Sequence, residues 1–352
     1  MRVKLFGRSG LRVSELALGT MSFGTEWGWG ASPEECRRIF DAYAAAGGNF
    51  IDTANNYTDG ASERIVGELI ASDRDHFVLA TKYTMSTRLD DPNAGGNHRK
   101  NLVRSLEGSL QRLKTSYVDL LWVHAWDVMT PVEETMRALD DLVRAGKVLY
   151  VGISDAPAWW TAQANTLASF SGWSPAIGIQ IQYSLVERTP ERELLPMAQA
   201  LDLGVAAWSP LGAGVLTGKY RDGLVAGSRL DGPWGAAFLT ERNLGIAALT
   251  SRIAADRGVS PSRVAIAWLR QRDANVIVPV LGVSKLGQLE DLLAATSLVL
   301  TPDELAELER ASAVPLGFPH DFLNLPRIRQ FIYSDHLPAI DHHRRDRTGG
   351  GV

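Results

Sequence analysis

Four residues early in the chain have the types and spacing to move a proton. Asp52, Lys82 and His124 each close a short apolar run: Asn49-Phe50-Ile51-Asp52, Phe77-Val78-Leu79-Ala80-Thr81-Lys82 and Asp119-Leu120-Leu121-Trp122-Val123-His124. Tyr57 follows the first run, in the loop Asn55-Asn56-Tyr57-Thr58-Asp59-Gly60. Taken singly each has a bland explanation, since an aspartate caps helices, a lysine reaches solvent and a histidine packs. Together they are chemically coherent. A free tyrosine titrates near ~10, too high to exchange protons readily at neutral pH. An adjacent ammonium favours the phenolate and lowers that value, and a carboxylate behind the ammonium keeps it charged and oriented. Asp52, Lys82 and Tyr57 form such a chain, with a neutral His124 holding a carbonyl oxygen beside the phenol. The set protonates an oxygen as charge develops on it, so it suits a reaction in which something else attacks the carbonyl carbon.

For these residues to meet, the runs that carry them must be neighbouring strands with their ends on one face. Eight short apolar runs recur along the chain: Leu16–Leu18, Phe50–Ile51, Phe77–Ala80, Val118–Val123, Val148–Ile153, Ala176–Ile181, Val205–Trp208 and Val276–Val280. Their Val, Ile and Leu content suits parallel strands buried on both faces. Helical periodicity predicts helices between or after them over Pro33–Ala46, Ser62–Ala71, Asn97–Leu113, Val132–Ala145, Pro157–Ser169, Pro190–Leu203, Pro261–Arg272 and Leu286–Thr296. Ser32-Pro33-Glu34-Glu35, Ser260-Pro261 and Thr301-Pro302-Asp303-Glu304 read as helix starts. Strand then helix, eight times over, predicts an α/β fold, the (β/α)8 TIM barrel, with catalysis at the C-terminal strand ends. The rival, an open doubly wound sheet, would carry a glycine fingerprint at its first turn. The first strand ends instead in Leu18-Gly19-Thr20-Met21-Ser22.

Residues 1–335 read as one barrel domain and 336–352 as a flexible C-terminal tail. Val3–Val13 reads as a hairpin capping the barrel floor. The stretch Leu211–Leu239, after strand seven, is far longer than an ordinary loop of this kind and reads as a mobile flap over a ligand. Its glycines and aromatics include Gly223, Gly227, Gly232, Tyr220, Trp234 and Phe238. The tail pair His342-His343 lacks a metal-ligand pattern, and no metal is expected.

The chain has 352 residues, 45% hydrophobic and 22% charged, with a formal net charge of −4 and an isoelectric point near 6.0. That balance gives no reason to expect a nucleic-acid or membrane partner. No uncharged apolar run reaches the ~18 residues of a membrane span. One cysteine, Cys36, allows no intrachain disulfide and agrees with a soluble protein of the reducing cytoplasm. A homo-oligomer is left open.

With these motifs in view, the sequence resembles the aldo-keto reductase family from Val3 to about Ile332. Asn49-Phe50-Ile51-Asp52-Thr53-Ala54, Tyr57 and Gly67-Glu68 resemble its first signature, and Asp52, Tyr57, Lys82 and His124 match its catalytic tetrad. Tyr183-Ser184-Leu185-Val186-Glu187-Arg188 and Ser209-Pro210-Leu211-Gly212 are similar to the bacterial, aryl-alcohol-dehydrogenase-like and potassium-channel-β-like branch. The resemblance implies hydride transfer from NADP(H) to an aldehyde or ketone, a small-molecule substrate, with Tyr57 as general acid. It assigns Ser154, Asp155 and Gln180 to the nicotinamide carboxamide and Trp208 to stacking on the nicotinamide ring. Gly19 and Thr20 join the cofactor set. Ser209, Pro210, Leu211, Gly212, Gly214 and Lys219 match the pyrophosphate loop. Gly282, Ser284, Lys285, Gln288 and Asp291 match the adenosine-phosphate site, at a helix start that attracts anions. Three positions depart from the usual pattern. Asp155 replaces an asparagine, Leu292 stands where an asparagine often meets adenine, and Gln288 stands where an arginine often lies.

Loops after strands one, three and four carry Phe23, Trp27, Trp29, Tyr83 and Trp126. An aromatic rim of Trp27, Trp29, Tyr83 and Trp126 favours aryl or cyclic ketones, aromatic aldehydes or polyol-like rings. The alternative is that these rings only plug loops, and Trp159-Trp160 are expected to pack on an outer helix. Two other functions fit the scaffold: a Schiff-base lyase using Lys82, and a cofactor-binding regulatory subunit with little turnover.

Overall fold

The structure, a computed structural model, describes residues 1–220, 223–224, 230–231, 235–272 and 276–340. Gly227, Gly232 and Trp234 of the predicted flap, and the tail's His342-His343, lie outside the described residues.

The chain opens with β1 (Val3–Leu5) and β2 (Arg12–Ser14), an antiparallel pair with Val3 opposite Ser14. There follow β3 (Ala17–Gly19), α1 (Pro33–Ala45), β4 (Phe50–Asp52), α2 (Ala61–Ile70), β5 (Val78–Tyr83), α3 (Arg99–Leu113), β6 (Val118–Val123) and α4 (Val132–Arg144). The second half runs β7 (Val148–Ser154), α5 (Ala158–Ser171), β8 (Ala176–Gln182), α6 (Leu194–Ala200), β9 (Gly204–Trp208), α7 (Gly235–Phe238), α8 (Glu241–Asp256), α9 (Pro261–Arg270), β10 (Ile277–Gly282) and α10 (Leu286–Leu293). Beyond the barrel lie α11 (Pro302–Ser312), α12 (His320–Leu323) and α13 (Pro326–Tyr333). The eight strands from β3 to β10 are parallel and close on themselves, Val280 of β10 pairing with Ala17 of β3. This is the (β/α)8 barrel the strand-helix repeat predicts.

The capping signals do what their chemistry requires. The Ser32 hydroxyl accepts from Glu35 N at 3.3 Å ahead of Pro33, and Thr301 with Glu304 forms a full capping box. Two expectations shift. The helix predicted over Pro190–Leu203 is a short turn, Thr189–Glu191, followed by α6; Pro196 fits only the first turn of a helix, so the helix restarts at Leu194. The sequence reading also lacks α8, whose spacing of buried positions (Ile246, Ala247, Thr250, Ile253, Ala254) is helical but whose N-cap, Thr240, is a single residue.

The floor of the barrel is shut by the hairpin. Phe6, which follows β1 and is fully buried, packs edge-on against Phe50 and Trp122, ring centroids 5.6 and 6.3 Å away. Gly178 and Gly204 make room for it: a Cβ at either would fall 2.4 or 2.7 Å from the Phe6 ring. Above this plug, strand alternation sorts the side chains. Phe50, Ala80, Leu120, Trp122 and Ala206 fill the interior, while Ile51, Leu79, Leu121 and Val123 face the helices. Continuing the same parity toward the strand ends turns Asp52, Lys82, Ser154, Gln180 and Trp208 inward, and Tyr83 outward.

Candidate active site

Asp52 closes β4, Lys82 is the penultimate residue of β5, and the two meet inside the barrel, Lys82 Nζ donating to Asp52 Oδ2 at 2.5 Å and to the Thr53 carbonyl at 2.8 Å. The Lys82 side chain is 0% exposed. The other carboxylate oxygen is also engaged, Gln180 Nε2 donating to Asp52 Oδ1 at 2.8 Å. Tyr57 begins a tight turn, Tyr57–Gly60, in which Thr58 and Asp59 take left-handed φ values of 43° and 52°. Such a conformation persists only where its surroundings hold it. Here the Thr58 hydroxyl donates to the Phe23 carbonyl at 2.7 Å and accepts from Ser62 N at 3.0 Å. The turn sets the Tyr57 ring with its centroid 4.8 Å from Lys82 Nζ and 6.0 Å from the His124 ring. All four predicted residues are therefore brought together at the strand ends.

The electrostatics correct one expectation. Burial pushes the Tyr57 phenol above its ordinary value; Lys82 pulls it down, Asp52 pushes it up, and the net direction is upward. The ammonium thus offsets desolvation rather than producing an acidic phenol. Burial would likewise lower Lys82, but the Asp52 charge outweighs it and the ammonium is held charged. His124 is pushed down to about 3, by burial first and by Lys82 second, so it is neutral at physiological pH. Its Nδ1 is buried with no hydrogen-bond partner among the described residues.

Beyond the tetrad, Ser154 closes β7 with its hydroxyl buried and unpartnered. Asp155 follows at φ 43°, exposed at the mouth, and accepts from Trp208 Nε1 at 3.0 Å. After β9 the chain turns sharply, with Ser209, Gly212, Ala213 and Gly214 at φ 52°, 56°, 53° and 98°. Much of this loop's donor capacity is used internally: Gly212 N reaches the Ser209 carbonyl, Ala213 N the Ser209 hydroxyl, and Gly214 N the Leu211 carbonyl. Pro210 is buried in the turn. Lys219 folds back beside Gly214, its Nζ 4.8 Å from the Tyr220 ring centroid. At the other end, Gly282 and Lys285 are exposed. Ser284 N is capped by Gln288 Oε1 at 2.9 Å, and Leu286 N by Glu35 Oε1 at 2.6 Å. Asp291 is held by Arg263 Nε at 2.7 Å and by the Ser260 hydroxyl at 2.6 Å.

The family model of the aldo/keto reductase family matches residues 15–313. The chain belongs to the aldo/keto reductase family. It is 41% identical over 328 residues to a norsolorinic acid reductase of Emericella nidulans, covering 90% of this chain and 82% of that protein. An aryl-alcohol dehydrogenase of Pestalotiopsis microspora is 39% identical, covering 89% of this chain and 82% of its own length. A putative aryl-alcohol dehydrogenase of Saccharomyces cerevisiae is 35% identical, covering 90% and 87%. These relatives are fungal. Family membership makes the chain an oxidoreductase, and among its described residues no helix is long and apolar enough to cross a membrane.

Not every expected site residue of this aldo/keto reductase faces the cavity. Thr20 is fully buried, its hydroxyl tied to the Asp52 carbonyl at 3.1 Å and to the Ser62 hydroxyl at 2.8 Å, so it braces β4 from behind. Gly19 lies against Val280, whose Cγ1 would sit 2.8 Å from a Cβ. Tyr83, expected on the substrate rim, is 1% exposed and packs in the layer between strands and helices. The reason is parity: one residue beyond the inward Lys82, its ring must point outward.

The other residues expected on the rim form aromatic pairs. Trp27 and Trp29 pack at 5.7 Å between centroids, and Trp27 Nε1 donates to Asp59 Oδ1 at 3.3 Å, tying it to the Tyr57 turn. Trp126 meets Trp159 edge-on at 5.7 Å. Both Trp159 and Trp160 lie on the outer helix α5; Trp160 is buried as the sequence suggests, whereas Trp159 is 60% exposed and reaches Trp126. Sequence reasoning missed the bonds from Gln180 to Asp52, from Trp208 to Asp155 and from Leu286 N to Glu35. The replacement of asparagine by Asp155 was the one visible signal.

Proposed function

We propose that this aldo/keto reductase reduces an aryl or cyclic ketone, or an aromatic aldehyde, to the alcohol with NADP(H), Tyr57 giving the proton. The observation that carries the reading is the buried Asp52–Lys82 pair beneath the Tyr57 ring, with a neutral His124 opposite. When bound, the nicotinamide cofactor supplies the hydride. The residues that would hold it fit that group: the orphaned Ser154 hydroxyl has a hydrogen bond to give, the half-buried Trp208 offers an aromatic face, and Lys219 and Lys285 supply cations.

The chain's own part is to accept a developing oxyanion. Tyr57 stays protonated through neutral pH, so its hydroxyl donates as charge builds on the carbonyl oxygen. The charged Lys82 makes loss of that proton less costly, and Asp52 keeps the ammonium in place. His124, neutral, positions the same oxygen without competing for the proton. The aromatic rim favours flat substrates, and the aryl-alcohol-dehydrogenase side of the family is the branch that the relatives' names support. Lys285 with Ser284, at the adenosine-phosphate end, supports NADP(H) over NAD(H). A single buried Cys36 fits a reducing cytoplasm. A Schiff-base role for Lys82 is disfavoured, because a nucleophilic amine must be neutral and this one is held charged.

A panel of carbonyls followed by NADPH absorbance, run beside Tyr57→Phe, tests the proposal. The variant should lose activity by about 10²–10⁴-fold with its melting temperature unchanged. Full activity in the variant would overturn it, and tight nucleotide binding without turnover on any carbonyl would favour the regulatory-subunit reading.

A further inference from the structure

Asp155 is a charged group at the mouth that the proton relay does not use. Lys82 is matched by Asp52 at 2.5 Å, His124 is neutral and Tyr57 is protonated. Among these ionisable groups at the strand ends, the carboxylate of Asp155 is the unbalanced charge. Its partner is the indole N–H of Trp208 at 3.0 Å, a neutral donor. Burial pushes its carboxyl upward, while hydrogen bonding, first from Trp208, and then the Lys82 charge pull it back. The side chain still meets solvent at the mouth, where water stabilises the carboxylate.

An asparagine here would take the same left-handed backbone and accept the same indole hydrogen. What the carboxylate adds is one negative charge, fixed by Trp208. We propose that Asp155 makes this site select the oxidised, cationic form of the nicotinamide cofactor over the reduced, neutral form. The inference rests on the cofactor reading above, in which Trp208 stacks on the nicotinamide ring. Oxidised nicotinamide bears a positive ring and reduced nicotinamide does not, so a carboxylate held beside the stacking residue attracts one and is indifferent to the other. Tighter binding of the oxidised form also shifts the bound couple toward alcohol oxidation, by linkage between binding and redox state.

Quenching of tryptophan fluorescence by NADP+ and by NADPH measures both dissociation constants on the intact protein, without turnover. In Asp155→Asn the ratio Kd(NADP+)/Kd(NADPH) should rise about tenfold, nearly all of it from weaker NADP+ binding. Asp155→Glu, which keeps the charge, should hold the ratio near that of the unaltered protein. An unchanged ratio in Asp155→Asn, or equal shifts in both constants, overturns the inference while leaving the cofactor assignment standing. An unaltered protein that binds neither nucleotide overturns both.

Discussion

Gln180 donates to the oxygen of Asp52 that Lys82 leaves free, at 2.8 Å against 2.5 Å for the ion pair. The carboxylate at the base of the proton relay is therefore held from two strands, the neighbouring β5 and, on the opposite side of the barrel from β4, β8. A residue assigned by resemblance to the cofactor thus touches the acid machinery directly. Gln180→Leu should lower kcat as well as weaken cofactor binding, whereas a residue serving binding alone would raise KM and spare kcat. Steady-state kinetics at saturating cofactor separate the two.

Removing one member of the buried pair should cost more than catalysis. Lys82→Met leaves Asp52 buried and uncompensated, a loss of about 3–5 kcal/mol. Thermal unfolding should show a large fall in Tm, and adding Asp52→Asn should recover much of it. No recovery in the double variant would mean that the two charges are not coupled.

The neutral His124 sets a pH window for stability. Its folded-state value is about 3, far below the ordinary imidazole value near 6.5. Between those limits the unfolded chain binds a proton that the folded chain refuses, so stability falls as pH drops from about 6.5 toward 3. His124→Gln lacks this titration. Its Tm difference from the unaltered protein should narrow or reverse across that window, and a constant difference would contradict the assignment.

Carbonyl reduction should show no ionisation between about pH 6 and 8, because Tyr57 is displaced upward and His124 downward. The alkaline limb should fall only above the ordinary phenol range, as Tyr57 loses its proton. A limb near neutrality in kcat/KM, persisting in His124→Gln, would instead identify Tyr57 as an acidic phenol.

The Trp126–Trp159 pair makes a substrate prediction. Trp126→Ala should lower kcat/KM for an aryl ketone about tenfold more than for a small aliphatic aldehyde. Equal losses on both would show that the ring only packs its loop.

The barrel was legible because its strands and caps are local signals: Ser32-Pro33, Ser260-Pro261 and Thr301-Pro302 start helices where they stand. The tetrad was legible because each polar residue ends an apolar run. What the sequence hid depends on which neighbour a side chain finds. Nothing local announces that Glu35, a first-turn acid on α1, reaches the backbone of Leu286, or that Asp291 is claimed by Arg263. Tyr83 was placed on the rim by its distance along the chain, although counting strand parity from Lys82 would have turned it outward. The direction of the Tyr57 shift was also hidden, since desolvation depends on the surrounding packing while the lysine is visible in the sequence.

The hairpin residue Phe6 leaves the barrel with a single doorway. Whatever reaches Tyr57 and Lys82 therefore arrives and departs by the end at which the strands finish.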